Sequence, residues 1–189
     1  MRNLILQMHI TLDGFSNMEA GGKNFKWDNK VIKACVDNLK DVDTLLLGRK
    51  TAGQLIPFWD DVALDKKHPD YALGKRIAEL PKIVFSKSLK KSKWKNTTII
   101  NGEIGKEIKQ LKKLKGENLL AYGGISFAGA IIEKDLVDEF YFFKDPFCLG
   151  KGLSVFGKNK RILTFELQES KSFPCGTVSL SYKRTKPKK

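Results

Sequence analysis

Leu45-Leu46-Leu47-Gly48-Arg49-Lys50-Thr51 is the stretch on which the architecture turns: an apolar run that ends abruptly in a glycine, two cations and a hydroxyl. Such a run brings a buried strand to the end of a sheet. There it offers free backbone N–H groups, positive side chains and a helix start to an anion. The pattern recurs downstream as Lys82-Ile83-Val84-Phe85-Ser86-Lys87-Ser88 and as Leu119-Leu120-Ala121-Tyr122-Gly123-Gly124-Ile125-Ser126. Three strand-to-turn motifs in one chain, two of them basic and one carrying Gly-Gly, point to a ligand with several phosphates. A nucleotide cofactor is the economical reading.

The 189 residues suffice for one sizeable core, and no low-complexity or Pro/Ser-rich stretch divides them. The expectation is a single domain over residues 1–185 with a basic, disordered tail at 186–189. Hydrophobic content of 41% is ordinary, and no apolar run approaches a bilayer span. The first residues lead directly into a strand-like pattern without a small-residue cleavage site, so no secretory signal is read. Cys35, Cys148 and Cys175 have neither an even count nor metal-ligand spacing, which fits reduced thiols, a cytoplasmic location and no bound metal. The net charge of +14 raises the question of nucleic acid, but the lysines are spread out and no nucleic-acid-binding signature accompanies them. A basic solvated surface that concentrates small anions is the reading, with neither specific nucleic acid nor membrane as partner.

Along the chain, Leu4, Leu6, Met8, Ile10 and Leu12 alternate with Asn3, Gln7, His9 and Thr11, the period of a strand. Val31, Ile32, Cys35, Val36 and Leu39 follow at helical spacing behind Asp28, an N-cap candidate. Strands are expected at 44–48, 82–86, 97–100 and 118–122. Ile104, Ile108, Leu111 and Leu114 form the stripe of a lysine-rich helix entered from Asn101-Gly102 and stopped at Gly116. A further helix runs from about 125 to 134. Beyond it the pattern turns to strands at 137–143, 162–168 and 178–182, the last two joined by the turn residues Pro174-Cys175-Gly176. The fold class is α/β, with a mixed, mostly parallel sheet, helices on both faces and an antiparallel C-terminal hairpin at an edge.

Thr11-Leu12-Asp13-Gly14-Phe15, Leu47-Gly48-Arg49-Lys50-Thr51, Val84-Phe85-Ser86-Lys87, Tyr122-Gly123-Gly124-Ile125-Ser126 and Leu149-Gly150-Lys151-Gly152 with Phe156, in that order, resemble the dihydrofolate-reductase-like superfamily. The closer match is the branch that contains the reductase domain of riboflavin biosynthesis, and it covers about Leu4 to Lys183. The resemblance implies a three-layer fold and NADPH bound across the ends of the central strands. It also implies hydride transfer to a pyrimidine- or pteridine-like heterocycle, as in 5-amino-6-(5-phosphoribosylamino)uracil reductase. It would set Gly48, Arg49, Lys50 and Thr51 at the phosphates of the adenosine half and Ser86 and Lys87 beside the adenine ribose. Gly123 and Gly124 would lie against the pyrophosphate, with Ile125, Ser126 and Phe127 opening the helix that faces it. The cations of these motifs, with no acidic residue adjacent, are expected to favour NADPH over NADH.

If the first strand is central, its polar row Gln7, His9, Thr11 and Asp13 must face something other than core, and a cleft would satisfy it. His9, Thr11 and Asp13 are the catalytic candidates. Gln7, Trp27, Asp28, Ile32 and Trp59 are the substrate-side candidates, with Phe58 as a further aromatic able to stack on a flat ring. Where folate reductases carry a cleft-face carboxylate on the first helix, this chain reads Val31, Ile32, Cys35, Val36 and Leu39, so dihydrofolate is expected to be a poor substrate. Ser16 replaces the aliphatic residue usual after Asp-Gly. The zinc-deaminase signature often fused to the riboflavin enzyme is absent from the sequence. Neither a serine-hydrolase elbow, a P-loop nor a Rossmann fingerprint is present. The competing readings are a folate-reductase activity and a nucleotide- or nucleic-acid-binding module that lost its chemistry. The resemblance and an open edge near the last strand together imply a homodimer.

Overall fold

A computed structural model describes residues 1–16, 22–157 and 159–185. Eight strands form one sheet: β1 (Leu4–Thr11), β2 (Val42–Gly48), β3 (Lys82–Phe85), β4 (Thr97–Ile100), β5 (Asn118–Tyr122), β6 (Glu139–Asp145), β7 (Thr164–Ser172) and β8 (Val178–Thr185). Their spatial order is β4-β3-β2-β5-β1-β6-β8-β7. The first six are mutually parallel, and β8 pairs antiparallel with both β6 and β7. This is the expected mixed sheet with its antiparallel hairpin. Five helices cover it: α1 (Asn29–Asp37), α2 (Arg49–Val62), α3 (Tyr71–Glu79), α4 (Ile104–Lys113) and α5 (Ile125–Glu133).

β1 is buried at every position, as a central strand must be. Its period-two alternation sorts side chains between two cores. Leu4, Leu6, Met8 and Ile10 join Ile108 of α4 and Phe127, Ala128, Ile131 and Ile132 of α5. Ile5 joins the opposite core, where α1, α2 and α3 contribute Val31, Ile32, Ile56, Trp59, Leu73 and Ile77. α1 starts as its sequence requires, with the Asp28 carboxylate accepting from the N–H of Lys30 at 2.9 Å and of Val31 at 2.8 Å. The chain therefore leaves β2 toward one face through α2 and leaves the neighbouring β5 toward the other through α5. Adjacent parallel strands whose connections part in this way open a crevice at their carboxyl ends, where both helices begin.

Several expectations are corrected. The helix after Gly48 has 14 residues, with Pro57 inside it. α3 was not foreseen; its buried Leu73 and Ile77 stand four apart, on one helical face. α4 is capped by Glu103, whose carboxylate accepts from Gly105 and Lys106 N–H groups, and Asn101 instead donates to Ser86 and Leu89 carbonyls. β6 and β7 each begin two residues later than expected, β6 because Val137 packs in the core before the ladder starts, whereas β8 begins at Val178 as expected. The last strand is not an edge: β8 lies inside the hairpin and β7 forms the border, where a register shift between Leu167 and Glu169 and the charges Glu166, Glu169 and Lys171 discourage further pairing. The expected basic tail at 186–189 lies outside the described residues. Among the described residues, no helix is long and apolar enough to cross a membrane.

Candidate functional site

The crevice between the ends of β1, β2 and β5 holds a cavity of about 680 Å³. Its size suits a small-molecule ligand. Gly123 and Gly124 form one wall, with φ of 65° and 78°. A Cβ on Gly124 would stand 2.3 Å from the Thr51 hydroxyl oxygen, so conformation and space both demand glycine there. Thr51 lies in the first turn of α2 and Ser126 in the first turn of α5. Two helix N-termini thus converge on a glycine wall, with Lys50 beside them.

The other end of the cavity is aromatic and carries the polar residues of β1. Trp27, Phe58, Trp59, Leu55 and Tyr122 supply flat and apolar surface. Phe58 meets Trp59 edge-on at 4.9 Å. Gln7 lines the cavity while its amide oxygen accepts from Asn38 Nδ2 at 2.7 Å, which leaves its NH₂ as the free end. His9 stacks on Phe143 at 4.9 Å and lies against Trp27 at 4.1 Å, tilted by 35°. Its Nδ1 lies 2.8 Å from Asp145 Oδ2, and its buried Nε2 has no hydrogen-bond partner among the described residues.

Burial keeps two groups neutral, Tyr122 at the cavity and Cys35 in the adjoining core. Burial, reinforced by Cys35 and Asp70, pushes the Tyr122 phenol well above its ordinary range. Burial and Asp70 push the Cys35 thiol up to about 12. Asp70 stands at the N-cap position of α3, yet its carboxylate caps nothing and lines the cavity instead.

Of the residues singled out in the sequence, Gln7, His9, Trp27, Lys50, Thr51, Trp59, Gly123, Gly124, Ile125 and Ser126 line this cavity, with Phe58 and Ser16. The remainder lie elsewhere. Thr11 is fully buried and binds the turn after β1, accepting from Phe15 N–H and donating to Asp13. The Asp13 carboxylate accepts from Gly150 N–H at 2.7 Å and Leu149 N–H at 3.3 Å, so it joins the loops after β1 and β6. Those three donors, Thr11 first, hold its carboxyl below the usual range. Asp28 is the α1 cap, and Ile32 is core. Gly48 sits where a Cβ would meet Phe127 Cβ at 3.0 Å, and Phe127 itself stacks on Phe85. Arg49 and Lys87 are exposed at the ends of the neighbouring strands β2 and β3, and the Ser86 hydroxyl accepts from Ser88 and Leu89 N–H groups. The structure thus separates the cations of the motifs into Lys50 at the cavity and Arg49 and Lys87 outside it.

Asp70 and Asp145 were missed. Asp145 closes an apolar strand just before Pro146, and Asp70 precedes the helical pair Leu73 and Ile77, so each reads locally as an ordinary strand end or cap.

Residues 2–179 match the family described as the RibD C-terminal domain. The uncharacterized protein YyaP of Bacillus subtilis (strain 168) is 33% identical over 188 residues, covering 96% of this chain and 94% of that protein. A protein ascribed to riboflavin biosynthesis from Shewanella sp. PV-4 superposes with a TM-score of 0.70 at 21% identity, over 97% of this chain and 99% of that one. Dihydrofolate reductase from Enterococcus faecalis, solved with NADP(H), superposes at 0.63 and 14% identity, over 97% of both chains. The chain has the dihydrofolate-reductase-like fold and belongs to the RibD C-terminal domain family.

Proposed function

We infer that the protein is an NADPH-dependent reductase of a heterocyclic small molecule, with a pyrimidine of the 5-amino-6-(5-phosphoribosylamino)uracil type as the leading substrate class. The observation that carries this reading is the two-part cavity: a glycine wall with two helix N-termini at one end, an aromatic and polar pocket at the other. The enforced absence of a Cβ at Gly124 suits close approach of a pyrophosphate, and Gly123, Gly124, Thr51, Ser126 and Lys50 would hold it. Arg49 and Lys87, at adjacent strand ends, would face the 2'-phosphate. The cofactor would supply hydride, while Trp27, Phe58 and Trp59 would hold a flat ring and Gln7 would orient it.

The fold comparison with a Thermotoga maritima diaminohydroxyphosphoribosylaminopyrimidine deaminase/5-amino-6-(5-phosphoribosylamino)uracil reductase supports the substrate class. That match has a TM-score of 0.64 at 17% identity and spans 97% of this chain but 57% of the larger one. No residue of α1 lines the cavity, and the carboxylate that does, Asp70, comes from the N-cap of α3; folate would thus lack the first-helix carboxylate of folate reductases, and an unpaired buried donor costs roughly 1 to 3 kcal/mol. NADPH oxidation with 5-amino-6-(5-phosphoribosylamino)uracil and with dihydrofolate tests the reading. Turnover of the uracil with little turnover of dihydrofolate supports it. Oxidation with neither, together with salt-dependent RNA binding, would favour the binding-module alternative.

Self-association belongs to the same reading. β8 is an inner strand, yet its side chains are only half-buried along most of its length, so the hairpin has surface left to cover. Light scattering should give about twice the 21.4 kDa chain mass. A mass of one chain refutes the dimer.

A further inference from the structure

The two-electron reduction inferred above consumes one proton for every hydride, and the cavity contains a group built to deliver it. His9 stands on β1 and Asp145 on β6, 136 positions apart in sequence, with Nδ1 and Oδ2 separated by 2.8 Å. Asp145 is fully buried, and its other oxygen accepts from the Thr177 hydroxyl at 2.8 Å and from Lys26 N–H at 3.2 Å. A carboxylate only accepts, so the hydrogen of this pair sits on Nδ1 and the tautomer is set. Nε2 is then the nitrogen left for exchange. It belongs to a side chain that is more than nine-tenths buried and lines the cavity, and it has no partner among the described residues. A buried polar atom without a partner calls for an explanation. Phe143 and Trp27 lie against the ring and fix its place at the cavity.

We propose that His9 is the proton donor of this cavity and that Asp145 is its positioning residue. In the step, the Nε2–H bond of the imidazolium breaks and an N–H or O–H bond forms on a basic atom of the bound substrate, next to the carbon that receives the hydride. The electron pair of the broken bond stays on Nε2, Asp145 remains a carboxylate, and solvent returns a proton to the ring after release. The substrate therefore carries an imine nitrogen or carbonyl oxygen, on its ring or on a substituent of it, at the position that meets His9. Other groups around the cavity serve less well. The Tyr122 phenol is held neutral and weakly acidic, the Gln7 amide has no proton to give, and Lys50 stands at the glycine end. The charged and titratable groups that bear on His9 are Asp145 from β6, Tyr122 from β5, and Asp70 and Lys50 across the cavity.

The proposal rests on the reductase reading, and the test separates the two. Wild type, His9→Gln and Asp145→Asn are compared for NADPH oxidation with 5-amino-6-(5-phosphoribosylamino)uracil between pH 5 and 9, and for NADPH affinity by calorimetry. Imidazolium quenches a stacked indole, so fluorescence is titrated over the same range in wild type, His9→Gln and Trp27→Phe. The expected results are a rate that falls as pH rises in wild type, a loss of at least about 100-fold and a flat profile in His9→Gln, and NADPH affinity unchanged within about twofold. Asp145→Asn should move the fall in rate toward lower pH, because removing the carboxylate disfavours the cation; a merely structural role would not shift the profile. A fluorescence titration present in wild type and lost in both His9→Gln and Trp27→Phe shows the ring exchanging its proton beside Trp27. Oxidation by His9→Gln at the wild-type rate and pH dependence overturns the proposal while leaving the reductase reading intact. No oxidation by wild type at any pH overturns the reductase reading and the donor role with it. No fluorescence titration in wild type overturns the donor role alone.

Discussion

The two ends of the same parallel strands treat charge in opposite ways. At the amino ends, charged groups are paired and closed. The Arg2 guanidinium meets Asp43, donates to the Thr44 hydroxyl at 3.0 Å and reaches the Glu117 carbonyl at 2.6 Å. Lys112 bonds Asp138 and the Leu136 carbonyl, and Asp138 also accepts from Leu4 N–H at 2.9 Å. At the carboxyl ends, Lys50, Asp70, the Gln7 NH₂ and His9 Nε2 face a cavity. Networks that satisfy their members rigidify a fold, whereas polar groups held open on a rigid frame are available to a ligand. The comparison teaches that the amino ends hold the sheet together, while the carboxyl ends leave polar groups open to a ligand.

The sharpest attempt to break this division is Gly124→Ala. Left-handed strain and the 2.3 Å approach to Thr51 should together lower stability by about 2 to 3 kcal/mol and reduce NADPH affinity more than tenfold. Gly123→Ala, whose Cβ meets only Thr51 Cγ2 at 3.6 Å, should show the strain alone, about 1 kcal/mol. Denaturant unfolding and calorimetry measure both. If Gly124→Ala binds NADPH as wild type does, the glycine wall is not the seat of the cofactor.

Arg2→Met probes the opposite end. Leaving Asp43 and Thr44 without their partner should cost about 2 kcal/mol, a fall in Tm of several degrees, with NADPH affinity unchanged within about twofold. A parallel loss of binding would erase the distinction between the ends.

Smaller in scale is the effect of removing Arg49 and Lys87 together. The double alanine variant should lose about tenfold in NADPH affinity, about 1.4 kcal/mol, with little change for NADH, and the wild-type preference should weaken with salt. Equal losses for the two cofactors would assign these exposed cations to the general basic surface.

The smallest effect concerns acid stability outside the cavity, at the cap of α4. Lys134, followed by the N–H groups of Gly105 and Lys106, holds the Glu103 carboxyl down to about 2 from an ordinary 4.5. A depressed carboxylate contributes stability that is full above the unfolded value and is lost as pH falls through the folded one. The advantage of wild type over Glu103→Gln should therefore be constant at neutral pH and shrink between about pH 4.5 and 2 in thermal melts. An advantage that persists at pH 2 would mean the cap acts through hydrogen bonds independent of charge.

Short-range patterns in the sequence specify the order of the strands and of every helix but α3, the mixed sheet, the Asp28 cap, and the glycine and hydroxyl motifs at the strand ends. These are properties of short segments: alternation, helical spacing and turn residues act within a few positions. The sequence also marked Gln7 and His9 as polar residues on a strand that turns out to be central. Tertiary structure alone decided which polar groups are spent and which stay open. Thr11 and Asp13 read like their neighbours Gln7 and His9, yet loop hydrogen bonds to residues near 150 absorb Asp13, while the parting of α2 from α5 leaves the other two at the cavity. Asp70 and Asp145 gained their roles in the same way. Pairing a histidine with an acid 136 positions away depends on strand order and register, which no local pattern encodes.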